Sequence, residues 1–345
     1  MPYRPENRKP DYHNLEKVLQ KQVPQRPTLF EFILNDRIYA HLAGRPPPSH
    51  TPDHSAWLAK AFDSAGYDYV MLRPPWDFPE TQIDQMHTRS INHSALIYDR
   101  KSFDTYPWPA PKEMDFTYLH GLAGRLPDGM KIVASDSSGV FEAAVKVFGY
   151  ENLCMLLYEN PALVSDVFER VGEILMAFFR AVLKCPDVMA ILCSDDWGFK
   201  TQTLLTPQQM RKYVFPYHKQ FVELAHQKER FAILHSCGYY SDVIEDVIED
   251  MKFDARHSYE DIIIPVEDAY RDLQGRIAVL GGIDVDFMAS RSPKEVFDRS
   301  KRILEQTATG GYALGTGNSI PEYIPDENYF AMIKACWSED NTLCS

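Results

Sequence analysis

Short apolar segments alternate with longer helical patterns along most of this chain. Runs of six to nine residues, rich in β-branched and aromatic side chains, are separated by stretches in which apolar residues recur at helical spacing. The runs are TLFEFIL (28–34), YDYVMLR (67–73), KIVASD (131–136), VMAILCSDD (188–196), FAILHSC (231–237), FDARHS (253–258), RIAVLGGID (276–284) and YALGTGN (312–318). Eight strands that alternate with helices predict parallel βα units, and their closure gives an α/β fold, the (β/α)8 TIM barrel.

The segments around this repeat set the predicted domain organisation. Residues 1–27 are polar and contain several prolines, so they predict an N-terminal arm, and residues 28–345 form the barrel domain. The segment 74–130 is too long for a simple connection and predicts an insertion after the second strand. An open doubly wound sheet is the alternative, but no Gly-x-Gly-x-x-Gly motif follows the first strand.

Three helix starts carry a recognisable signal. A residue that caps helix N-termini is followed directly by proline at Asn160-Pro161, Thr206-Pro207 and Ser292-Pro293. Proline is favoured at the first helical position, because the amide hydrogen that it lacks would have no partner there. Helices are therefore expected to begin at these prolines.

Polar residues follow the predicted strands at their C-terminal ends, where (β/α)8 enzymes place their active sites. Glu31 lies inside the first, otherwise apolar run. The residues at the other seven strand ends are Arg73, Asp136, Asp195 with Asp196, His235 with Cys237, His257 with Glu260, Asp284 and Asn318. This pattern predicts a polar mouth, by which we mean the barrel end that holds the C-termini of the strands.

His235 and Cys237 are the most specific pair in this set. Residues two apart on a strand point to the same side, so both side chains can reach one ion at the mouth. Imidazole and thiolate are ligands that Zn²⁺ prefers, and a catalytic zinc keeps one position open. The alternative is a core histidine beside a buried free cysteine.

Three other residues at the mouth are candidates for a chemical role, and each also has a purely structural explanation. Asp195 is a candidate general acid or base or a hydrogen-bond anchor for substrate, and the alternative is a helix N-cap in a solvated loop. His257 is a candidate proton shuttle or a partner that supports a metal ligand, and the alternative is a hydrogen-bonded barrel histidine. Glu31 is a candidate ligand for a cation or substrate, or an outward-facing surface residue. The expected substrate-binding residues are Arg73, Asp136, Asp284 and Asn318.

Charge and composition exclude some classes of function. The net charge of −13 argues against general nucleic-acid binding, which needs a basic surface. No apolar run approaches the ~18 residues that a transmembrane helix needs. The N-terminal residues lack the apolar region of a signal peptide, so we expect a cytoplasmic protein with six reduced cysteines. The sequence leaves the oligomeric state open, with a homodimer as one arrangement.

Three stretches carry a resemblance to a known family: ILHSCGYYSDVIEDVIEDMKFDARHS, VLGGIDVDFMASRSPKEV and GGYALGTGNSIPEYIPDENYFAMI. From Pro27 to about Lys334 the chain resembles the uroporphyrinogen decarboxylase superfamily of (β/α)8 barrels. This superfamily includes zinc-dependent methyltransferases that act with corrinoid proteins, and the His-x-Cys-Gly sequence is similar to that branch. The resemblance implies that His235 and Cys237 bind zinc.

The chain departs from this branch at the third zinc ligand. The family pattern is Gly-Cys-Gly-Ile-Pro, whereas this chain has GNSIP at residues 317–321, so Asn318 stands where the cysteine would be. A carboxylate is then expected to complete the site. Glu260 is the first candidate, with Asp195 and Glu31 as alternatives, and a site without metal is also open.

The resemblance implies a methyl transfer between a small methylated substrate and cobalamin. Asp11-Tyr12-His13 begins an Asp-x-His-x-x-Gly cobalamin signature, but Glu16 occupies the glycine position, so the corrinoid is expected on a separate protein. Aromatic residues in the insertion, including Trp76 and Trp108, suggest a methoxylated aromatic substrate. The alternatives are a cofactor-free decarboxylase, which needs a more basic pocket, and a barrel that binds a small ligand without turnover.

Overall fold

In the part of the chain that the structure describes, seven parallel strands form one sheet, in which each strand pairs with the next along the chain. The structure is a computed structural model that describes residues 4–49, 51–80 and 95–338. The strands are β1 Tyr69–Leu72, β2 Lys131–Ser135, β3 Val188–Ser194, β4 Phe231–His235, β5 Ala255–His257, β6 Ala278–Leu280 and β7 Tyr312–Ala313. The order and direction of the strands agree with the predicted βα repeat.

Helices connect the strands and cover the sheet. They are α1 Tyr12–Leu19, α2 Asp36–Ala43, α3 Pro52–Ala65, α4 Arg100–Thr105, α5 Thr117–His120, α6 Val140–Phe148, α7 Tyr150–Glu159, α8 Pro161–Val182, α9 Pro207–Tyr213, α10 Phe215–Gln227, α11 Val266–Leu273, α12 Val285–Ser290, α13 Pro293–Gln306 and α14 Asp326–Trp337. A 3₁₀ helix spans Pro111–Glu113 and a π-helix spans Asp246–Asp250. The three proline helix starts are confirmed at α8, α9 and α13, each with a side-chain cap.

The first predicted strand, residues 28–34, is not a strand. This segment makes one parallel bridge, between Leu29 and Leu314, beside the end of β7. On its other side, the Tyr69 hydroxyl replaces the backbone ladder that would join the segment to β1. That hydroxyl accepts from the Glu31 backbone N–H at 2.8 Å and donates to the Glu31 carbonyl at 2.6 Å. The prediction of eight strands therefore corresponds to seven strands and one bridged segment.

The predicted insertion between β1 and β2 contains α4, the 3₁₀ helix and α5, while residues 81–94 lie outside the described part of the chain. Trp76 packs against Phe178 of α8 with ring centroids 5.5 Å apart, and Phe116 stacks on the same ring at 6.1 Å. Aromatic contacts therefore hold the two ends of the insertion against α8.

The N-terminal arm packs at the end of the sheet opposite the mouth. Asp68, which precedes β1, is fully buried and pairs with Arg26 at 2.6 Å. The same carboxylate accepts from the Asp11 backbone N–H at 2.8 Å. The buried Arg8 guanidinium donates to the carbonyls of Gly66 and Pro27 at 3.1 and 2.8 Å. Residues 1–3 of the predicted arm lie outside the described residues.

Among the described residues, no helix combines the length and apolarity required to cross a lipid bilayer.

Candidate functional site

Three side chains that can bind a metal meet at the mouth: Asp196, His235 and Cys237, which we call the Asp–His–Cys cluster. His235 is the last residue of β4, and its Nε2 lies 3.6 Å from the Cys237 Sγ. Asp196 follows β3, and its Oδ1 lies 3.9 Å from the same Nε2. The three ligand atoms all lie within 4.8 Å of one another. The predicted same-side placement of His235 and Cys237 is present in the structure.

The geometry of the Asp–His–Cys cluster fits a zinc ion. Zinc bonds of about 2.0–2.3 Å in a tetrahedral arrangement place neighbouring ligand atoms roughly 3.5 Å apart. The distances of 3.6 and 3.9 Å from the His235 Nε2 are close to this separation. His235 is 4% exposed, whereas the Asp196 side chain is 41% exposed, so the cluster opens to solvent on the carboxylate side. Three protein ligands would leave the fourth position of a tetrahedral ion for a substrate.

The environment of Cys237 favours the neutral thiol when no cation is present. Burial raises the pKa of the Cys237 thiol well above its usual range, and the charges of Asp196 and Glu260 raise it further. Two donors oppose this effect, because the Asn318 amide donates to Sγ at 3.1 Å and the Ser258 hydroxyl donates at 3.8 Å. A bound cation would therefore decide whether this sulfur is a thiolate.

Asn318, predicted to bind substrate, thus contacts the sulfur of the cluster directly. Its side chain also lines a cavity of about 600 Å³ at the mouth, together with Glu260 and Asp284. The Glu260 carboxylate accepts from the Gly238 backbone N–H at 3.2 Å and is not part of the Asp–His–Cys cluster. The expected third metal ligand, Glu260, therefore lies beside the cluster, and Asp196 has the closer geometry.

Asp284 caps a helix at the edge of this cavity. Its Oδ1 accepts from the backbone N–H groups of Asp286 and Phe287, in the first turn of α12. Its Oδ2 accepts from the Asp261 backbone N–H at 2.9 Å. The predicted substrate-binding carboxylate is therefore already engaged with the backbone.

His257 lies directly behind His235. Their Nδ1 atoms are 2.7 Å apart, and the other ring nitrogen of His257, Nε2, lies 3.0 Å from the Thr316 carbonyl oxygen. Burial lowers the pKa of His257 to about 4 and lowers the pKa of His235 well below its usual range. Phe32 covers the ring of His235 with a centroid distance of 4.3 Å. Both imidazoles are therefore neutral near pH 7.

Glu31 is completely buried, so the outward-facing alternative does not hold. Its Oε1 accepts from the Thr316 backbone N–H at 2.7 Å, and its Oε2 lies 2.7 Å from the Thr316 hydroxyl. Burial raises the pKa of Glu31 to about 8, which keeps it protonated near pH 7. The protonated Oε2 then donates to the Thr316 hydroxyl, which in turn donates to the Asn318 carbonyl at 2.5 Å.

Asp195 faces away from the cluster, and its neighbour Asp196 takes the inward position. The Asp195 oxygens accept from the backbone N–H groups of Phe141 and Glu142 at 3.0 and 2.9 Å, in the first turn of α6. The His218 Nε2 lies 2.8 Å from the same carboxylate, which is fully buried. The helix-capping alternative thus describes Asp195, and its carboxylate has no open side for a substrate.

Glu142 is a candidate that sequence analysis missed. It lies in the first turn of α6, at the mouth, and its backbone N–H is one of the donors to Asp195. Burial raises the pKa of Glu142 well above its usual range, and the charge of Asp196 is the next cause. A carboxyl whose pKa is raised is suited to proton donation. The sequence signal that could have identified Glu142 is an acidic residue in the first turn of the helix that follows β2.

Arg73 and Asp136 support the mouth near β1 and β2. The exposed Arg73 guanidinium donates to the carbonyls of Ser137 and Asp136 at 2.6 and 3.4 Å, and lies 5.6 Å from the Phe32 ring centroid. The buried Asp136 side chain accepts from the Ser194 backbone N–H at 3.0 Å. Arg73 is open to solvent next to an aromatic ring, whereas Asp136 holds the ends of two strands together.

Arg256 is a buried arginine between the ends of β4 and β5. Its buried guanidinium donates to the carbonyls of Ser236 and Ser258, which follow β4 and β5. The rings of Tyr240 and Tyr259 lie 3.7 and 4.9 Å from it, a cation–π arrangement. Arg256 therefore fixes the strand ends that carry His235 and His257.

Comparisons with known proteins agree with this fold. The family model described as uroporphyrinogen decarboxylase (URO-D) matches residues 101–338. A methyltransferase from Methanosarcina mazei has a similar structure, with a TM-score of 0.72 and 16% sequence identity over 94% of this chain and 97% of the other. A putative vitamin-B12 independent methionine synthase from Listeria monocytogenes aligns with a TM-score of 0.49 and 9% identity over 91% and 98% of the two chains. No protein of curated function matches the chain by sequence.

Proposed function

The chain belongs to the uroporphyrinogen decarboxylase family, and on that premise we propose that it is a zinc-dependent methyltransferase. It moves a methyl group between a small methylated substrate and a corrinoid that a separate protein carries. The observation that supports this function best is the Asp–His–Cys cluster at the open mouth. Its ligand types and spacing suit zinc, and its exposed side leaves room for a substrate atom.

The metal would be held by Asp196, His235 and Cys237. A zinc ion there would supply Lewis-acid chemistry that polarises the heteroatom carrying the methyl group. Asn318 supports the cluster by donating to the Cys237 sulfur, in the position where the family pattern has a third zinc ligand. The substitution of cysteine by asparagine thus removes one thiolate, and Asp196 supplies the missing negative charge.

Proton delivery is assigned to Glu142 in place of Asp195. The methyl group leaves as a methyl cation equivalent to a reduced corrinoid, and the bonding electron pair stays on the oxygen or nitrogen of the substrate. That atom then needs one proton, and the Glu142 carboxyl, whose pKa is raised by burial, is the group assigned to supply it. In the reverse direction the same carboxylate takes the proton back.

We propose a methoxylated aromatic as the substrate class. The Phe32 ring lies against His235, and the exposed Arg73 guanidinium lies beside the same ring. This arrangement places an aromatic side chain beside the cluster, with a cation at its edge. The predicted domain organisation belongs to the same proposal, in which residues 28–34 complete an eight-membered barrel and the arm closes its opposite end.

The decisive experiment measures metal content and methyl transfer on the same samples. Purified protein is expected to bind about one zinc and to transfer methyl groups from a methoxylated aromatic to a reduced corrinoid protein. His235→Ala and Cys237→Ala should lose both properties, whereas Cys154→Ala, a partly buried thiol on α7, should keep both. Full transfer activity in the metal-free Cys237→Ala variant would refute the proposal.

A decarboxylase is the second candidate, because the matching family model carries that description. Incubation with uroporphyrinogen and analysis for coproporphyrinogen tests it directly. The acids at the mouth, including Glu260 and Asp284, oppose the binding of a polycarboxylate.

A further inference from the structure

The hydrogen bonds of His257, which lies behind His235, bear on how His235 binds a metal. We propose that His257 is a positioning residue that fixes the tautomer of His235, so that the Nε2 of His235 presents a free lone pair to the cluster. This proposal rests on the proposed metal site for its purpose, but the tautomer itself can be observed without metal.

The positions of the protons follow from the acceptors. A carbonyl oxygen only accepts, so the His257 Nε2, 3.0 Å from the Thr316 carbonyl, must carry a hydrogen. The Nδ1 atoms of His257 and His235 are 2.7 Å apart, so one hydrogen lies between them. In a neutral His257 the Nδ1 carries none, and the shared hydrogen therefore belongs to the Nδ1 of His235.

The alternative places the shared hydrogen on His257, which would then be an imidazolium. That cation would be fully buried, and the groups next to its ring nitrogens are a carbonyl and another imidazole. A buried charge without a carboxylate partner is strongly disfavoured. The neutral arrangement is therefore the stable one, and His235 carries its hydrogen on Nδ1 and a lone pair on Nε2.

The acceptor that starts this arrangement is held rigidly. The Thr316 carbonyl also accepts from the Gly282 backbone N–H at 2.9 Å, and the Thr316 N–H donates to Glu31 at 2.7 Å. Gly281 has a φ of +69°, and a Cβ at this position would lie 2.2 Å from the Thr316 oxygen and 2.8 Å from the His257 ring. The Gly281 backbone therefore packs closely against both groups, and a side chain at this position would force the Thr316 carbonyl or the His257 ring to shift.

The result is a preformed metal ligand. The Nε2 of His235 faces the Cys237 sulfur at 3.6 Å and the Asp196 carboxylate at 3.9 Å. Without His257, His235 would populate both tautomers, and in one of them a hydrogen would occupy the ligand position. Partners that orient metal-binding histidines in this way typically change metal affinity about 10- to 100-fold.

The first test is spectroscopic and uses the metal-free wild-type protein with ¹⁵N-labelled histidine. Long-range ¹H–¹⁵N correlation spectra distinguish protonated from unprotonated ring nitrogens. We expect a protonated Nδ1 and a bare Nε2 in His235, and the opposite pattern in His257. A His235 with its hydrogen on Nε2 would overturn the proposal.

The second test compares zinc affinity in three variants by competition with a chelator. In His257→Asn the side-chain oxygen can take the place of Nδ1 as the acceptor for His235. In His257→Gln the amide can reach the Thr316 carbonyl, but no acceptor remains at the δ position, and His257→Leu removes both. The Asn variant should bind zinc within about threefold of wild type, whereas Gln and Leu should bind about 10- to 100-fold more weakly.

Equal zinc affinity in the Asn and Gln variants would overturn the proposal even if the Leu variant does not fold. Thermal unfolding of the Asn and Gln variants provides the check for a general packing effect, which would weaken both alike. If wild-type protein binds no zinc, the proposed function fails, and the spectra of the metal-free protein still decide the tautomer.

Discussion

Replacing Glu31 with glutamine should stabilise the protein in a pH-dependent manner. Glu31 is fully buried, and its pKa is raised from 4.5 to about 8 by burial. Glutamine has the same shape, so its oxygen can accept from the Thr316 N–H and its amide can donate to the Thr316 hydroxyl. The substitution therefore keeps both hydrogen bonds and removes only the ionisable proton.

The sign and size of the effect follow from the two protonation states. Below about pH 4.5 the carboxyl is protonated in both the folded and the unfolded chain, so it contributes no pH dependence. Between 4.5 and about 8 the unfolded chain loses this proton while the folded protein keeps it, so the free energy of unfolding decreases as the pH rises. The difference between a pKa of 4.5 in the unfolded chain and about 8 in the folded protein corresponds to about 5 kcal/mol of free energy of unfolding, which is lost in full once the pH exceeds 8.

The assay is urea unfolding of wild type and Glu31→Gln at several pH values from 5 to 9. The free energy of unfolding of the variant relative to wild type should increase with pH, by up to about 5 kcal/mol, and level off above pH 8. Glu223→Gln, an exposed acid on α10, serves as the control and should show no such trend. A difference between Glu31→Gln and wild type that stays constant from pH 5 to 9 would refute the reasoning.

Three further predictions concern the strand ends. Gly281→Ala should destabilise the protein by about 2 kcal/mol or more, and by more than Gly44→Ala, because both glycines have positive φ but only Gly281 has close neighbours; equal melting temperatures would contradict this. Asn318→Cys should raise zinc affinity at least about tenfold in a chelator competition, since a thiolate is a better zinc ligand than an amide; weaker binding would count against the assigned geometry. Glu142→Gln should slow methyl transfer about 100-fold with unchanged zinc content, and an unchanged rate would exclude Glu142 as the proton donor.

The hydrophobic pattern predicted the strands well because parallel strands buried on both faces are almost entirely apolar. All seven strands lie inside predicted runs. The exception, residues 28–34, has the same pattern but pairs by only one bridge, since the Tyr69 hydroxyl occupies the backbone of Glu31. The side chain of Tyr69 thus replaces the backbone hydrogen bonds of a neighbouring strand. The apolar pattern of residues 28–34 cannot predict a contact with a residue so far along the chain.

The candidate site was predictable where residues lie on a regular strand. His235 ends β4, and the two-residue period placed Cys237 on its side correctly. Asp195 and Asp196 follow the end of β3, where the alternation stops. The backbone N–H groups at the start of α6 bind the Asp195 carboxylate, so Asp196 is the one that faces the cluster. This exchange depends on a tertiary contact between β3 and a helix that begins some fifty residues earlier.

Because Asp68 is buried against the N-terminal arm, the stability of the whole fold depends on the arm. Arg26 and the backbone of Asp11 are its partners, and both come from the arm. Detaching the arm would leave a desolvated carboxylate without compensation at the start of β1. Amide hydrogens in α1 should therefore exchange with solvent as slowly as those of the central strands, and a protease should find no stable trimmed core to leave behind.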